Sequence, residues 1–176
     1  MVFSAPYRLW LLPSVVLLAA MGVWGTVRYG DLPERIPEHI GTGGVDAWTD
    51  RSVGSAFLLV FLYAGVTVMM IAGAELSLRV TPRDELTKRG TPFGGASASL
   101  LNRPASRTAA RRTARALLLF NACVGVSLLV SCGVLWRTTP DPDVPGWLPV
   151  ALIAPLVVGT AATVAAAVAG RGRRAG

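Results

Sequence analysis

Leu9–Val27 reads LWLLPSVVLLAAMGVWGTV, nineteen residues without one charged side chain. A helix needs about 20 predominantly apolar residues to cross the ~30 Å hydrocarbon core of a bilayer. Three further stretches meet the same test: Val53–Ala74, Ala116–Trp136 and Trp147–Gly170. Backbone polar groups left unpaired in lipid are costly, so each stretch must be helical. Pro13 and Pro155 are compatible with this and predict local kinks. The first block is longer than the apolar core of a signal peptide, and no small-x-small cleavage pattern follows it. The pattern therefore predicts an all-α polytopic membrane protein, a four-transmembrane-helix bundle forming one membrane domain over residues 1–176.

Composition agrees with that reading. Over 176 residues, 52% are hydrophobic and only 15% charged, where soluble domains carry about a quarter charged; the mean hydropathy is +0.52. The net charge of +7 does not indicate nucleic-acid binding, because the basic residues flank apolar blocks instead of lining a soluble face. Cys123 and Cys132 lie nine residues apart in the third block. On an intact helix that is about 13 Å along the axis, beyond the ~7 Å a disulfide tolerates.

Orientation follows from the distribution of Lys and Arg. The connection spanning 75–115 is basic: from Arg79 to Arg115 it carries Arg79, Arg83, Lys88, Arg89, Arg103, Arg107, Arg111, Arg112 and Arg115 against only Asp84 and Glu85. Arg8 lies in the N-terminal tail, and Arg171, Arg173 and Arg174 lie in the C-terminal one. The other connections, including residues 28–52, are balanced or acidic. Both termini and the basic connection are thus expected on the cytoplasmic side, N-in and C-in. Trp24, Tyr29, Trp136 and Trp147 then fall at the outer interface, and Tyr7 and Trp10 at the inner one, where amphipathic rings settle.

Within the spans, small residues mark expected helix contacts: Gly159, Thr163 and Ala167 in the fourth, Gly65 and Gly73 in the second, Gly125 and Ser131 in the third. Asn121 is expected to hydrogen-bond across helices. Glu75 closes the second span with Arg79 at i+4, an expected interfacial ion pair. In the basic connection, Thr81-Pro82-Arg83-Asp84 reads as a helix start, Gly94 and Gly95 as a flexible stretch. From Asn102 the chain can be helical again, placing Arg107, Arg111 and Arg115 on one stripe beside Arg112. Such a stripe suits anionic lipid or an acidic cytoplasmic partner.

The external connection is the most distinctive segment: DLPERIPEHIGTGGVDAWTD, Asp31–Asp50. Pro33 and Pro37 exclude helix and favour extended neighbours; Gly41, Gly43 and Gly44 supply a turn. A hairpin-like loop is expected, carrying His39, the only histidine. The acidic neighbours of His39 lack the spaced ligand pattern of a metal site, so a hydrogen bond within the loop, or a pH-sensitive contact, is the expectation. Gly41–Gly44 follows no strand-to-helix phosphate loop. No nucleophile elbow is found either. No enzyme, catalytic residue, cofactor or metal is therefore expected.

Leu32, Pro33, Arg35, Ile36, Pro37, His39, Gly44, Asp46 and Trp48 together resemble the motif of a small bacterial membrane domain of unknown function. In it, an LPxxIPxH stretch follows the first transmembrane span. The same domain opens the SdpI-type immunity proteins, and the resemblance covers about residues 9–75. Two features differ: the spacing from His39 to Asp46 is one residue shorter, and Ile40 stands where an aromatic is usual. The second half of the full immunity proteins has no counterpart in Arg79–Gly176. The resemblance implies a multi-pass protein of the bacterial cytoplasmic membrane, acting in peptide-toxin immunity or envelope-stress sensing. Its implied partners are an external peptide or envelope ligand and a cytoplasmic regulator. The alternative from the residues is a small transporter or accessory subunit of a membrane complex, with Asn121 as its polar contact.

Overall fold

The computed structural model describes residues 5–41, 44–88, 103–137 and 145–169. The order along the chain is α1 (Ala5–Tyr29), β1 (Arg35–Gly41), β2 (Gly44–Asp50), α2 (Val53–Ala56), α3 (Leu58–Arg79), α4 (Arg83–Lys88), α5 (Arg107–Leu135) and α6 (Leu148–Ala169). Four of these helices, α1, α3, α5 and α6, are long and apolar enough to cross a membrane. The protein is an all-α polytopic bundle with one small antiparallel hairpin at one end.

The helices overrun the apolar stretches that reveal them. α3 continues past Ala74 to Arg79, and α5 starts at Arg107, well ahead of Ala116. The cause is capping and propensity. Ser106 accepts a hydrogen bond from the Ala109 amide at 3.2 Å, and the Arg and Ala residues that follow are good helix formers. Helix α2 is likewise closed by a capping box, in which the Ser52 and Ser55 side chains each take the other's backbone amide. Phe57 then departs from helical geometry, with φ −105° and ψ 11°. At this break the Ala56 carbonyl accepts a hydrogen bond from the Trp136 indole at 2.9 Å.

α5 is the hub, packing on α1, α3 and α6. At the hairpin end, Met21, Ala56, Tyr63, Cys132, Leu135 and Trp136 form a core with Leu32 and Ile36 of the hairpin region. At the opposite end, Tyr7, Ala74, Ala114 and Leu118 form a second one. Close approach is enforced at three glycines. A Cβ at Gly25 would come within 2.7 Å of the Trp136 ring, at Gly125 within 2.2 Å of the Tyr63 hydroxyl, and at Gly159 within 2.8 Å of Phe120.

Other expected contacts are not where the spacing put them. A Cβ at Gly65 would meet nothing within 4 Å outside its own helix turn among the described residues, and Ala167 is exposed. Thr163, half-buried, donates only to Thr160 of its own helix, at 2.7 Å. Ser131 donates to the Ser127 carbonyl of its own helix at 3.2 Å, whereas Gly73 does face another helix, a Cβ there standing 3.7 Å from Leu117 of α5. Where the α5–α6 seam is polar, the Ser127 hydroxyl donates to the Leu152 carbonyl at 2.7 Å. That carbonyl lies beside the one that Pro155, lacking an N–H, leaves without its helical donor.

The two ends of the basic connection are stitched together. The Arg83 amide donates to the Pro104 carbonyl at 3.1 Å, and Arg103 donates to the Thr81 carbonyl at 3.2 Å. Gly94 and Gly95 lie outside the described residues.

Candidate functional site

The hairpin is seated by its apolar residues and by one arginine. Leu32, Ile36 and Pro37 are buried, Ile36 completely. Arg51, at the end of the hairpin, donates to the carbonyls of Leu32 and Gly30 and stacks over the Tyr29 ring at 5.7 Å. Its own amide donates to the Glu34 carbonyl at 2.7 Å. One side chain thus ties the end of α1 to the second hairpin strand. Arg51 also reaches the Tyr29 carbonyl at 3.5 Å, one of those the C-terminus of α1 leaves unpaired.

Strands β1 and β2 pair from Arg35–Asp50 to Gly41–Gly44. Register shifts interrupt the ladder between Pro37 and His39 and again between His39 and Ile40. Pro37 has no amide to donate, so an irregularity there is expected. The irregular stretch presents His39 beside Asp46, with Nδ1 2.6 Å from the carboxylate. Both side chains are well exposed, at 68% and 57%. The resemblance motif is therefore split by depth. Leu32, Ile36 and Pro37 face the bundle, Pro33 and Trp48 are half-buried, and Arg35, His39 and Asp46 face solvent. Gly44 opens β2 opposite Gly41.

Among the described residues no group of three or more His, Cys, Asp or Glu side chains stands close enough together to hold a metal ion.

Deeper in the bundle, Asn121 is fully buried. Its side-chain amide donates to Ser14 Oγ at 2.8 Å and to Thr67 Oγ1 at 3.1 Å. A polar knot therefore joins α5 to α1 and α3. The Tyr63 hydroxyl is buried next to Ser14 and Thr67 without hydrogen-bond geometry to any group among the described residues. Spacing alone singles out Asn121 but not its partners Ser14 and Thr67, nor Tyr63 beside them.

At the end away from the hairpin, Arg79 pairs with Glu75 at 2.6 Å. The three stripe arginines of α5 and Arg112 beside them have different fates. Arg107 takes both oxygens of Glu85, at 2.7 and 3.1 Å, and the Leu78 carbonyl at 3.1 Å. Arg112 reaches the Ala169 carbonyl at 3.4 Å. Arg115 stands over the Trp10 ring at 6.0 Å, and Arg111 is exposed. Arg107 is thus a clamp within the protein, not a free surface charge.

A family described as Domain of unknown function (DUF1648) matches residues 16–63. The match runs from within α1, through the whole hairpin and Arg51, into α3 as far as Tyr63. No curated protein and no solved structure matches the chain. The chain is thus an integral, multi-pass membrane protein, and its segment from Val16 to Tyr63, which contains the hairpin, is similar to this domain.

Proposed function

We propose that the hairpin is the recognition element of a non-enzymatic membrane protein of SdpI-like type, serving peptide-toxin immunity or envelope-stress sensing in a bacterial cytoplasmic membrane. The observation carrying this reading is the division of the hairpin into a buried seat and an exposed polar edge. Leu32, Ile36 and Arg51 hold it in one place on the bundle, while Arg35, His39 and Asp46 are offered to solvent. A rigidly mounted set of polar groups loses little ordering entropy when a ligand docks. The arginine distribution supports an outward-facing hairpin with both termini cytoplasmic. The basic end, facing inward, is where a cytoplasmic regulator would meet the protein.

The transporter or accessory-subunit reading has less support, since the Asn121 amide is engaged by Ser14 and Thr67. The experiment is a chromosomal deletion, complemented by the wild-type chain or by His39→Ala with Asp46→Ala. Sensitivity to membrane-active peptides should rise on deletion, and the double variant should fail to restore resistance while reaching normal levels in the membrane. Unchanged sensitivity and unchanged envelope-stress transcription on deletion would end the proposal.

A further inference from the structure

The end of the bundle opposite the hairpin has more guanidinium groups than carboxylates to answer them. Glu75 is matched to Arg79 and Glu85 to Arg107. Arg111 and Arg115 have no carboxylate partner among the described residues. They sit one turn apart on the exposed side of α5, which carries them just ahead of the apolar run that begins at Ala116. That is the level of lipid headgroups for a helix whose following residues lie in hydrocarbon.

Two further features make this more than a basic stripe. Arg115 is held against the face of Trp10 from α1, 6.0 Å from the ring centroid. A guanidinium placed on an aromatic face keeps N–H donors for an oxyanion, and its fork matches two phosphate oxygens. Trp10 itself is 39% exposed, an amphipathic ring placed between apolar and polar surroundings. One turn deeper on the same side of α5 lies Leu119, 37% exposed. Phosphate donors, an interfacial ring and an apolar track therefore follow one another along one line from polar to apolar.

We propose that Arg111, Arg115 and Trp10 form a binding site for one anionic phospholipid, its phosphate on the two guanidinium groups and an acyl chain along Leu119. The occupant is a lipid and not a free phosphate ion, because the apolar track continues directly from the charges. The site lies at the other end of the molecule from the hairpin and does not depend on what the hairpin recognises.

The test uses the full chain, purified in detergent with equal amounts of phosphatidylglycerol and phosphatidylcholine. Retained lipid is read by mass spectrometry of the intact protein. Wild type should retain phosphatidylglycerol preferentially. Arg111→Gln or Arg115→Gln should each lower that preference about fivefold at low salt, and the two together roughly thirtyfold. Arg115→Lys, which keeps the charge but loses the planar fork, should fall between wild type and Arg115→Gln. Arg28→Gln, an equal loss of charge at the hairpin end, should leave the preference unchanged. Equal retention of both lipids by wild type overturns the site. So does a loss in Arg28→Gln as large as in Arg111→Gln, which would mean bulk charge alone. Full displacement of phosphatidylglycerol by millimolar inorganic phosphate at matched ionic strength would assign the guanidinium groups to a free ion and overturn it as well.

Discussion

Replacing Asn121 with Leu tests whether the buried amide holds the bundle together. The two side chains have the same number of heavy atoms and both branch at Cγ, so the substitution removes polar contacts without opening a cavity, while the bulkier methyl groups add some crowding. What disappears is the pair of bonds to Ser14 at 2.8 Å and Thr67 at 3.1 Å. Interhelical hydrogen bonds in membranes average about 0.6 kcal/mol and reach about 1.7 kcal/mol. Ser14 and Thr67 can turn to carbonyls one turn back on their own helices, so neither hydroxyl is stranded. The expected cost is therefore about 1–2 kcal/mol, a factor of roughly 5–30 in the ratio of folded to unfolded protein. Reversible unfolding in bicelles would measure it, with Ser14→Ala and Thr67→Ala completing double-mutant cycles. Each cycle should show a coupling of at least about 0.5 kcal/mol. An Asn121→Leu protein as stable as wild type, with no coupling to either hydroxyl, would refute the bridging role.

Gly125→Ala should destabilise by about 1–3 kcal/mol, because the new methyl group would meet the Tyr63 ring and hydroxyl; combining it with Tyr63→Leu should recover part of the loss in the same unfolding assay. Arg51→Ala should cost about 1–3 kcal/mol in local hairpin stability, seen as faster amide exchange over residues 31–51 with α5 unaffected. In a chain with Cys123 and Cys132 replaced by Ala, an impermeant thiol reagent on whole cells should label Glu38→Cys, and should label Arg111→Cys only after permeabilisation. Labelling of both from outside would remove the orientation proposed for the hairpin.

Much of the architecture is legible because lipid imposes a simple rule. A run of about 20 residues without charge, with no water to serve its backbone, has to be a helix. The hairpin is legible for a related reason: Pro33 and Pro37 forbid the alternative, and the glycines allow the turn. Helix ends are less visible, because hydropathy marks where lipid stops and capping marks where the helix stops. For α5 those differ by the stretch Arg107–Arg115. Packing faces are hidden altogether in the most apolar helices. In water a core face stands out against a polar one, but lipid is as apolar as a protein core, so both faces of α3 and α6 read alike. That is why Gly65 and Gly125 look equivalent in sequence, although one is open and the other lies under Tyr63. Arg51 escapes notice because its role is reaching back some twenty residues to the carbonyls of Gly30 and Leu32. The available signal is a basic residue placed just before a capped helix, in a stretch where acidic residues outnumber basic ones.

The arrangement around α5 limits how the two ends of the protein can communicate. Polar side chains inside a membrane must face protein, and α5 carries those that reach each neighbour. Asn121 binds α1 and α3, Ser127 binds α6, and Trp136 at its end binds the Ala56 carbonyl of α2. The hairpin rests on this same helix: Ile36 shares a core with Cys132, Leu135 and Trp136. At the other end of α5, Arg107 clamps Glu85 and Arg115 meets Trp10. α1 also runs between the two ends, but its fixed points at Gly25, Ser14 and Trp10 are made to Trp136, Asn121 and Arg115 of α5 and its cap. A ligand at the hairpin can change the opposite end only if it binds two arrangements of the protein with different affinity. Given these attachments, the two arrangements would have to differ in the position of α5. Disulfide crosslinks that pin α5 to α3 near Gly73 and Leu117 should then abolish any response while leaving ligand binding at the hairpin intact.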